Sequence, residues 1–201
     1  MSPRRSIAAA RHTQKRIVHA AVHNASVVGL DGLTIGSLAE TLGMSKAGVV
    51  GPFGSREELQ LAALEEAGRI FRAAVLEPSA GLQPGARRLA LLIDAWIGYL
   101  AECPFPGGCF VTSASTELDG RPGRLRDRLR EVITNWRTYL AAEIAAAQEE
   151  TAGPHRPPDE LASVLIGISM SINQEIQLLD DPAAPARGRA AMRAVAGVGA
   201  E

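Results

Sequence analysis

The sequence predicts an all-α protein, with a group of short N-terminal helices followed by a larger helical part. Three observations lead there. Apolar residues recur at three- and four-residue spacing through most of the chain, no alternating apolar pattern lasts more than a few residues, and Pro/Gly clusters separate the periodic stretches. At 201 residues and 46% hydrophobic composition the chain has ample apolar surface for a packed core. No run of eighteen apolar residues occurs, and the N-terminus MSPRRSIAAARHTQKR lacks the unbroken apolar stretch of a secretory leader. A cytoplasmic location with no membrane partner is the expectation.

The first helix is expected from Thr13 to Val28, with Ile17, Ala20, Ala21 and Val27 or Val28 on one face, Thr13 as N-cap and Gly29 as stop. Thr34 then opens a short helix in which Ile35, Leu38, Ala39 and Leu42 form a single apolar stripe. Gly43 supplies the left-handed residue that reverses the chain, Met44 plugs the gap, and Ser45 caps a second short helix, SKAGVV. Two helices of under three turns joined by a glycine turn form a helix-turn-helix, the motif that lays its second helix in the DNA major groove.

Gly51 and Pro52 should end that second helix near Val50, because Pro52 has no N–H and disfavours helical geometry in the residue before it. Ser55 and Glu58 have the spacing of a capping box and begin a helix reaching about Leu76. The Pro/Gly-rich stretch 77–85 reads as a connector, placing a DNA-reading domain at 1–77 and a second domain at 78–201. In the latter, helices are expected at about 85–102, 109–118, 122–150, 158–180 and 182–198, with breaks at PFPGG, DGRPG, AGPHRPP and DDPAAP.

Net charge is −1, but it is unevenly spread. Residues 1–55 hold Arg4, Arg5, Arg11, Lys15, Arg16 and Lys46 against Asp31 and Glu40, so the end with the helix-turn-helix is basic and the rest acidic. An enzyme finds little support. His12, His19, His23 and His155 make no recognised metal motif with Cys103 and Cys109, and neither a phosphate loop nor a nucleophile elbow is present. No catalytic residue, metal or cofactor is expected, and the two cysteines read as packed thiols.

The stretch from Lys15 to Leu64 resembles the DNA-binding domain of the TetR family of bacterial regulators. The residues that carry the resemblance are Thr34, Ala39, Gly43, Met44, Ser45, Phe53, Arg56, Glu57 and Leu59, within TIGSLAETLGMSKAGVVGPFGSREEL. A weaker likeness to one subgroup of the family's C-terminal domains runs through FPGGCF, Phe105 to Phe110, and the following ELDGRPGRLRD. One departure stands out: where the family usually carries an aromatic residue and often a histidine before the Phe, this chain has Val50, Gly51 and Pro52.

The resemblance implies a homodimer that binds a pseudo-palindromic double-stranded operator, usually as a repressor, and that a small molecule releases. Candidate DNA contacts are Lys46 to guanine or phosphate, Ala47 and Val50 against thymine methyls, and Thr34, Ser45 and Arg56 at helix N-termini facing phosphate, with Arg4 and Arg5 trailing along the duplex. Candidate pocket residues are Trp96, Tyr99, Phe110, Trp136 and Met170, oriented by Thr116, Glu117 and Asn173. A dimer interface is expected on Leu161, Leu165, Ile168, Ile172, Ile176 and Leu179. Two alternatives stay open: a cysteine redox sensor, and a dimeric ligand-binding protein whose DNA binding is weakened or lost through Gly51-Pro52.

Overall fold

The structure, a computed structural model, describes residues 3–152 and 154–199, the side chains of 3–6 excepted. Among the described residues, nine α-helices carry the fold: α1 Pro3–Gly32, α2 Ile35–Leu42, α3 Lys46–Val50, α4 Arg56–Phe71, α5 Ala86–Glu102, α6 Phe110–Leu118, α7 Arg124–Gln148, α8 Pro158–Leu179 and α9 Ala184–Ala196. No helix among them is long and apolar enough to cross a membrane. The all-α reading holds element by element; its boundaries shift most at α1 and α4.

Thr13 is not a helix start. It lies inside α1, which begins at Pro3, because the Ala-rich stretch before it has high helix propensity and nothing to break it. Gly29 does interrupt the helix as expected: its φ 77 and ψ 168 are non-helical, and a separate turn follows to Gly32. The buried face is Ile17, Ala21, Val22 and Ala25, whereas Val27 and Val28 are exposed. At the other end of the N-terminal region, α4 does not run evenly to Leu76: after Phe71 it widens into a π-type turn, Arg72–Leu76, then tightens into a 3₁₀ turn, Glu77–Ser79. Pro78, which has no N–H to donate, sits in that 3₁₀ turn and prevents a regular continuation.

The chain divides into two compact units. One holds the residues up to Arg69 together with Phe105–Leu129; the other holds Ile70–Pro104 and the chain from Arg130 onward. The loop before α6, and α6 itself, therefore pack with the N-terminal helices although the connector at 77–85 precedes them.

In the first unit, α1, α2 and α4 bury Ile17, Leu30, Leu33, Leu38, Leu59 and Leu64, and each such side chain removed from water contributes about 2 kcal/mol. Phe105 is fully buried, its ring 5.9 Å from His23 and 6.0 Å from Phe110. Beside it Gly107 approaches α1 so closely that an added Cβ would fall 1.7 Å from the Ser26 carbonyl oxygen, while its own N–H donates to Ser26 Oγ at 3.2 Å.

In the second unit, α9 packs on α8 and α5. Leu89, Leu92, Ile93 and Ile97 of α5, Leu140 and Ile144 of α7, Leu161, Leu165 and Ile172 of α8 and Met192 of α9 make its core. Gly188 lets α9 close on α8, for a Cβ there would sit 2.6 Å from Ile172 Cγ1. Asp94 of α5 accepts from Arg193 through both carboxylate oxygens, at 3.1 and 2.5 Å, and pairs with Arg189 at 3.2 Å, which pins α9 to α5.

Candidate nucleic-acid interface

The helix-turn-helix is built from short-range signals. Thr34 is the N-cap of α2, its hydroxyl oxygen accepting from the Ser37 N–H at 3.1 Å, and Ser45 is the N-cap of α3, accepting from Gly48 N–H at 3.1 Å. Between them Gly43 takes φ 62 and ψ 37. Its N–H donates to Glu40 O and that of Met44 to Ala39 O, closing the last turn of α2. Apolar side chains then orient the pair: Leu38 and Val49 are completely buried, which leaves Lys46 and Ala47 exposed and Val50 half-buried.

Ending at Val50, α3 is five residues long. The chain leaves it through a tight turn in which Phe53 N–H and Gly54 N–H both donate to Val50 O. The outer surface of α3 carries small or apolar residues around one cation, Lys46. That side chain leans toward α2, where an added Cβ at Gly36 would lie 3.9 Å from its ammonium. Ser55 caps α4 by accepting from Glu58 N–H at 3.1 Å, but only half of the capping box forms, since the Glu58 carboxylate pairs with Arg124 at 2.6 Å.

Arg56 makes contacts that its position at a helix N-terminus did not suggest. Its guanidinium donates to backbone carbonyls at the end of α1: Nε to Leu33 O at 2.9 Å, and one terminal nitrogen to Asp31 O at 2.5 Å and Leu30 O at 3.4 Å. Two of its three nitrogens are thus engaged within the protein. Gln60, 5% exposed and given no role by sequence reasoning, adds a bond from Nε2 to Leu30 O at 2.6 Å. Arg4 and Arg5 have side chains outside the described residues.

The pocket candidates separate. Trp96, Tyr99, Trp136, Met170 and Asn173 belong to the second unit, Phe110, Thr116 and Glu117 to the first. Trp96 and Trp136 meet edge-to-face at 4.9 Å, and Phe71, which periodicity had not singled out, meets Trp136 at 5.1 Å and Tyr99 at 5.2 Å in the same manner. Asn173 is buried, but Met170 is 41% exposed. In the first unit Phe110 is core, and the Thr116 hydroxyl donates to Ser113 O. Glu117 accepts from two backbone amides of α1.

A polar group that the sequence did not reveal lies in the second unit. Arg88 donates to Tyr139 Oη at 2.8 Å and stands 3.3 Å from Glu143, a carboxylate only 4% exposed. Arg88 Nε and Glu143 Oε2 are buried with no hydrogen-bond partner. Burial, chiefly, raises the Tyr139 pKa above that of a free phenol. No amphipathic pattern signals such a pair, because its members come from α5 and α7.

Along α8 the predicted interface residues face two ways. Leu161, Leu165 and Ile172 belong to the subunit's own core, Ile168 and Ile176 are half-buried, and Leu179 is exposed, as are Leu178 and Met170. The unpartnered apolar face of α8 thus includes two residues that the periodicity did not select, Met170 and Leu178. Cys103 and Cys109 are half-buried thiols. No cluster of three or more His, Cys, Asp or Glu able to hold a metal occurs among the described residues.

The chain is similar in fold to several regulators of known structure. A TetR transcriptional regulator from Chloroflexus aurantiacus J-10-FL superposes with a TM-score of 0.82 at 24% identity, covering 94% of each chain. A TetR-family regulator from Cytophaga hutchinsonii gives 0.79 at 17% identity over 96% of this chain and 97% of that one. AibR, solved in complex with isovaleryl coenzyme A and operator DNA, gives 0.73 at 18% identity over 90% and 95%. No curated protein matches the sequence. Residues 85–192, more than half of the chain, match the sequence model of the tetracyclin repressor-like C-terminal domain, and the chain belongs to the TetR family of transcriptional regulators.

Proposed function

We propose that this TetR-family chain is a cytoplasmic dimeric repressor that reads a pseudo-palindromic operator through α3 of each subunit and leaves it when a small molecule binds. The observation that carries the reading is the orientation of α3: with Val49 wholly buried, Lys46 and Ala47 are left facing outward on a helix short enough to enter the major groove. Thr34 and Ser45 sit at the N-termini of α2 and α3, where exposed amides attract phosphate. Arg56 drops out as a phosphate ligand in this reading, while Arg11, Lys15 and Arg16, exposed along α1 after Arg4 and Arg5, add to the electrostatic footprint.

Residues 1–77 serve as the DNA-reading part and 78–201 as the part for ligand and dimer contacts. Exposed Met170, Leu178 and Leu179 support a twofold contact through α8, since an isolated subunit would leave these side chains in water. The open valences of Arg88 and Glu143, with Arg88 bonded to Tyr139 and the Tyr139 ring stacked on Trp136, support a ligand with an apolar body and a group that both donates and accepts. AibR, with its bound acyl-coenzyme A and operator, illustrates this combination in a protein of the same fold.

Selection of bound sequences from random DNA tests the reading. A paired half-site should emerge, with Lys46→Ala weakening binding and, if the ammonium meets a phosphate, reducing the salt slope by about one. Binding indifferent to sequence would overturn it and favour a ligand-binding dimer without DNA recognition.

A further inference from the structure

The turn that joins α1 to the helix-turn-helix is held from outside by side chains. At Gly29, φ 77 and ψ 168 break the helical hydrogen-bond ladder, so the turn Leu30–Gly32 begins anew with amides lacking their usual acceptors. Glu117 of α6 meets both: Oε2 accepts from Leu30 N–H at 2.8 Å and Oε1 from Asp31 N–H at 2.7 Å. The carboxylate lies so tightly on the bend that a Cβ at residue 29 would come 2.7 Å from Oε2. Arg121, just after α6, reinforces the same junction with an ion pair to Asp31. On the other side, Arg56 and Gln60 of α4 hold the carbonyls of Leu30, Asp31 and Leu33. Thr34, the cap of α2, is the next residue.

We infer that Glu117 is a positioning residue for DNA reading: through it α6 sets the attitude of α2 and α3, so that operator affinity depends on a carboxylate that makes no DNA contact. The chemistry suits the task. A carboxylate bonded to two amides at the start of a helical turn is a charge-assisted pair aligned with the positive end of the turn. Moving α6 by an ångström or two takes the acceptors away, leaving the part-buried Leu30 N–H unmatched and the exposed Asp31 N–H to water. The joint then favours other conformations, and apparent affinity falls by the fraction of molecules still competent to bind. This inference rests on the DNA-reading role proposed above, but its structural half is read independently of DNA.

The experiment pairs Glu117→Ala and Glu117→Gln in the full-length protein with two measurements, amide hydrogen exchange and affinity for the selected operator over a range of salt. In Glu117→Ala, exchange should accelerate at Leu30 and Asp31 and through 34–50 while the second unit is unchanged. Affinity should fall about tenfold with the salt slope preserved, as a shift in population requires. In Glu117→Gln, whose single carbonyl retains one acceptor, exchange and affinity should lie between those of Glu117→Ala and the parent. Removing a negative charge from a DNA-binding protein would by itself strengthen binding, so the sign of the change separates positioning from simple electrostatics. Unaltered exchange at Leu30 and Asp31, parent-like behaviour of Glu117→Gln, or accelerated exchange with unchanged operator affinity overturns the inference. Should the parent protein select no operator, the DNA-reading function fails, and the exchange data alone decide whether Glu117 holds the joint.

Discussion

The α2–α3 pair and the turn just before it, residues 29–33, are neighbours in sequence but are stabilised in opposite ways. In the pair, the capping hydroxyls of Thr34 and Ser45 bond amides three residues away, and Gly43 closes its own helix. In the turn, the partners of the backbone come from 23 residues away in Arg56, 30 in Gln60 and 87 in Glu117. The helix-turn-helix is thus largely self-contained, whereas the base on which it stands is assembled from two distant helices. A motif built this way can keep its internal shape while its attitude is set from elsewhere.

Substitutions sharpen this contrast, and the largest effect is expected at a distant contact. Gly107→Ala drives a methyl into the Ser26 carbonyl, against backbone that has little room to yield, and should cost about 3 kcal/mol in urea unfolding. Arg56→Ala removes the guanidinium from three carbonyls and should cost about 2 kcal/mol, with Arg56→Lys recovering little because an ammonium does not reproduce the fork. The salt slope of DNA binding should be the same in Arg56→Ala as in the parent; a slope reduced by about one would return Arg56 to the phosphate contacts.

Within the self-contained pair the effect is smaller. Ser45→Ala should lose about 1 kcal/mol through the uncapped α3, and Ser45→Asp should restore it.

The smallest effect is a pH dependence at His23. Burial, followed by the neighbouring His19, lowers its pKa in the folded chain below the model-peptide value of 6.5. The unfolded chain therefore binds the proton more readily, so stability is complete above pH 6.5 and declines as pH falls through that value toward the folded pKa. Melting temperature recorded from pH 7.5 to 5.5 should drop more steeply for the parent than for His23→Gln; identical slopes would remove His23 as the cause.

Several features could be read directly because their causes are local. The caps at Thr34, Ser45 and Ser55, the reversal at Gly43 and the end of α3 at Val50 each depend on residues within four positions of one another. Periodicity also located α5, α7, α8 and α9, yet it did not say which apolar residues face inward: Leu161 and Leu179 lie on the same stripe of α8, one in the core and the other in solvent. The internal contacts of Arg56 were hidden for a related reason. Its position at a helix N-terminus was legible, but the carbonyls it captures became visible only once α1 was folded against α4.

Fold class, the helix-turn-helix and the outward display of Lys46 followed from short-range chemistry, since hydrogen-bond geometry and apolar spacing act over a turn or two of helix. The partners of Arg56, Gln60 and Glu117, the half-satisfied Arg88–Glu143 pair and the exposed side of α8 were decided by tertiary structure alone. A side chain's partner, unlike its helical propensity, depends on which distant backbone is brought within about 3 Å of it.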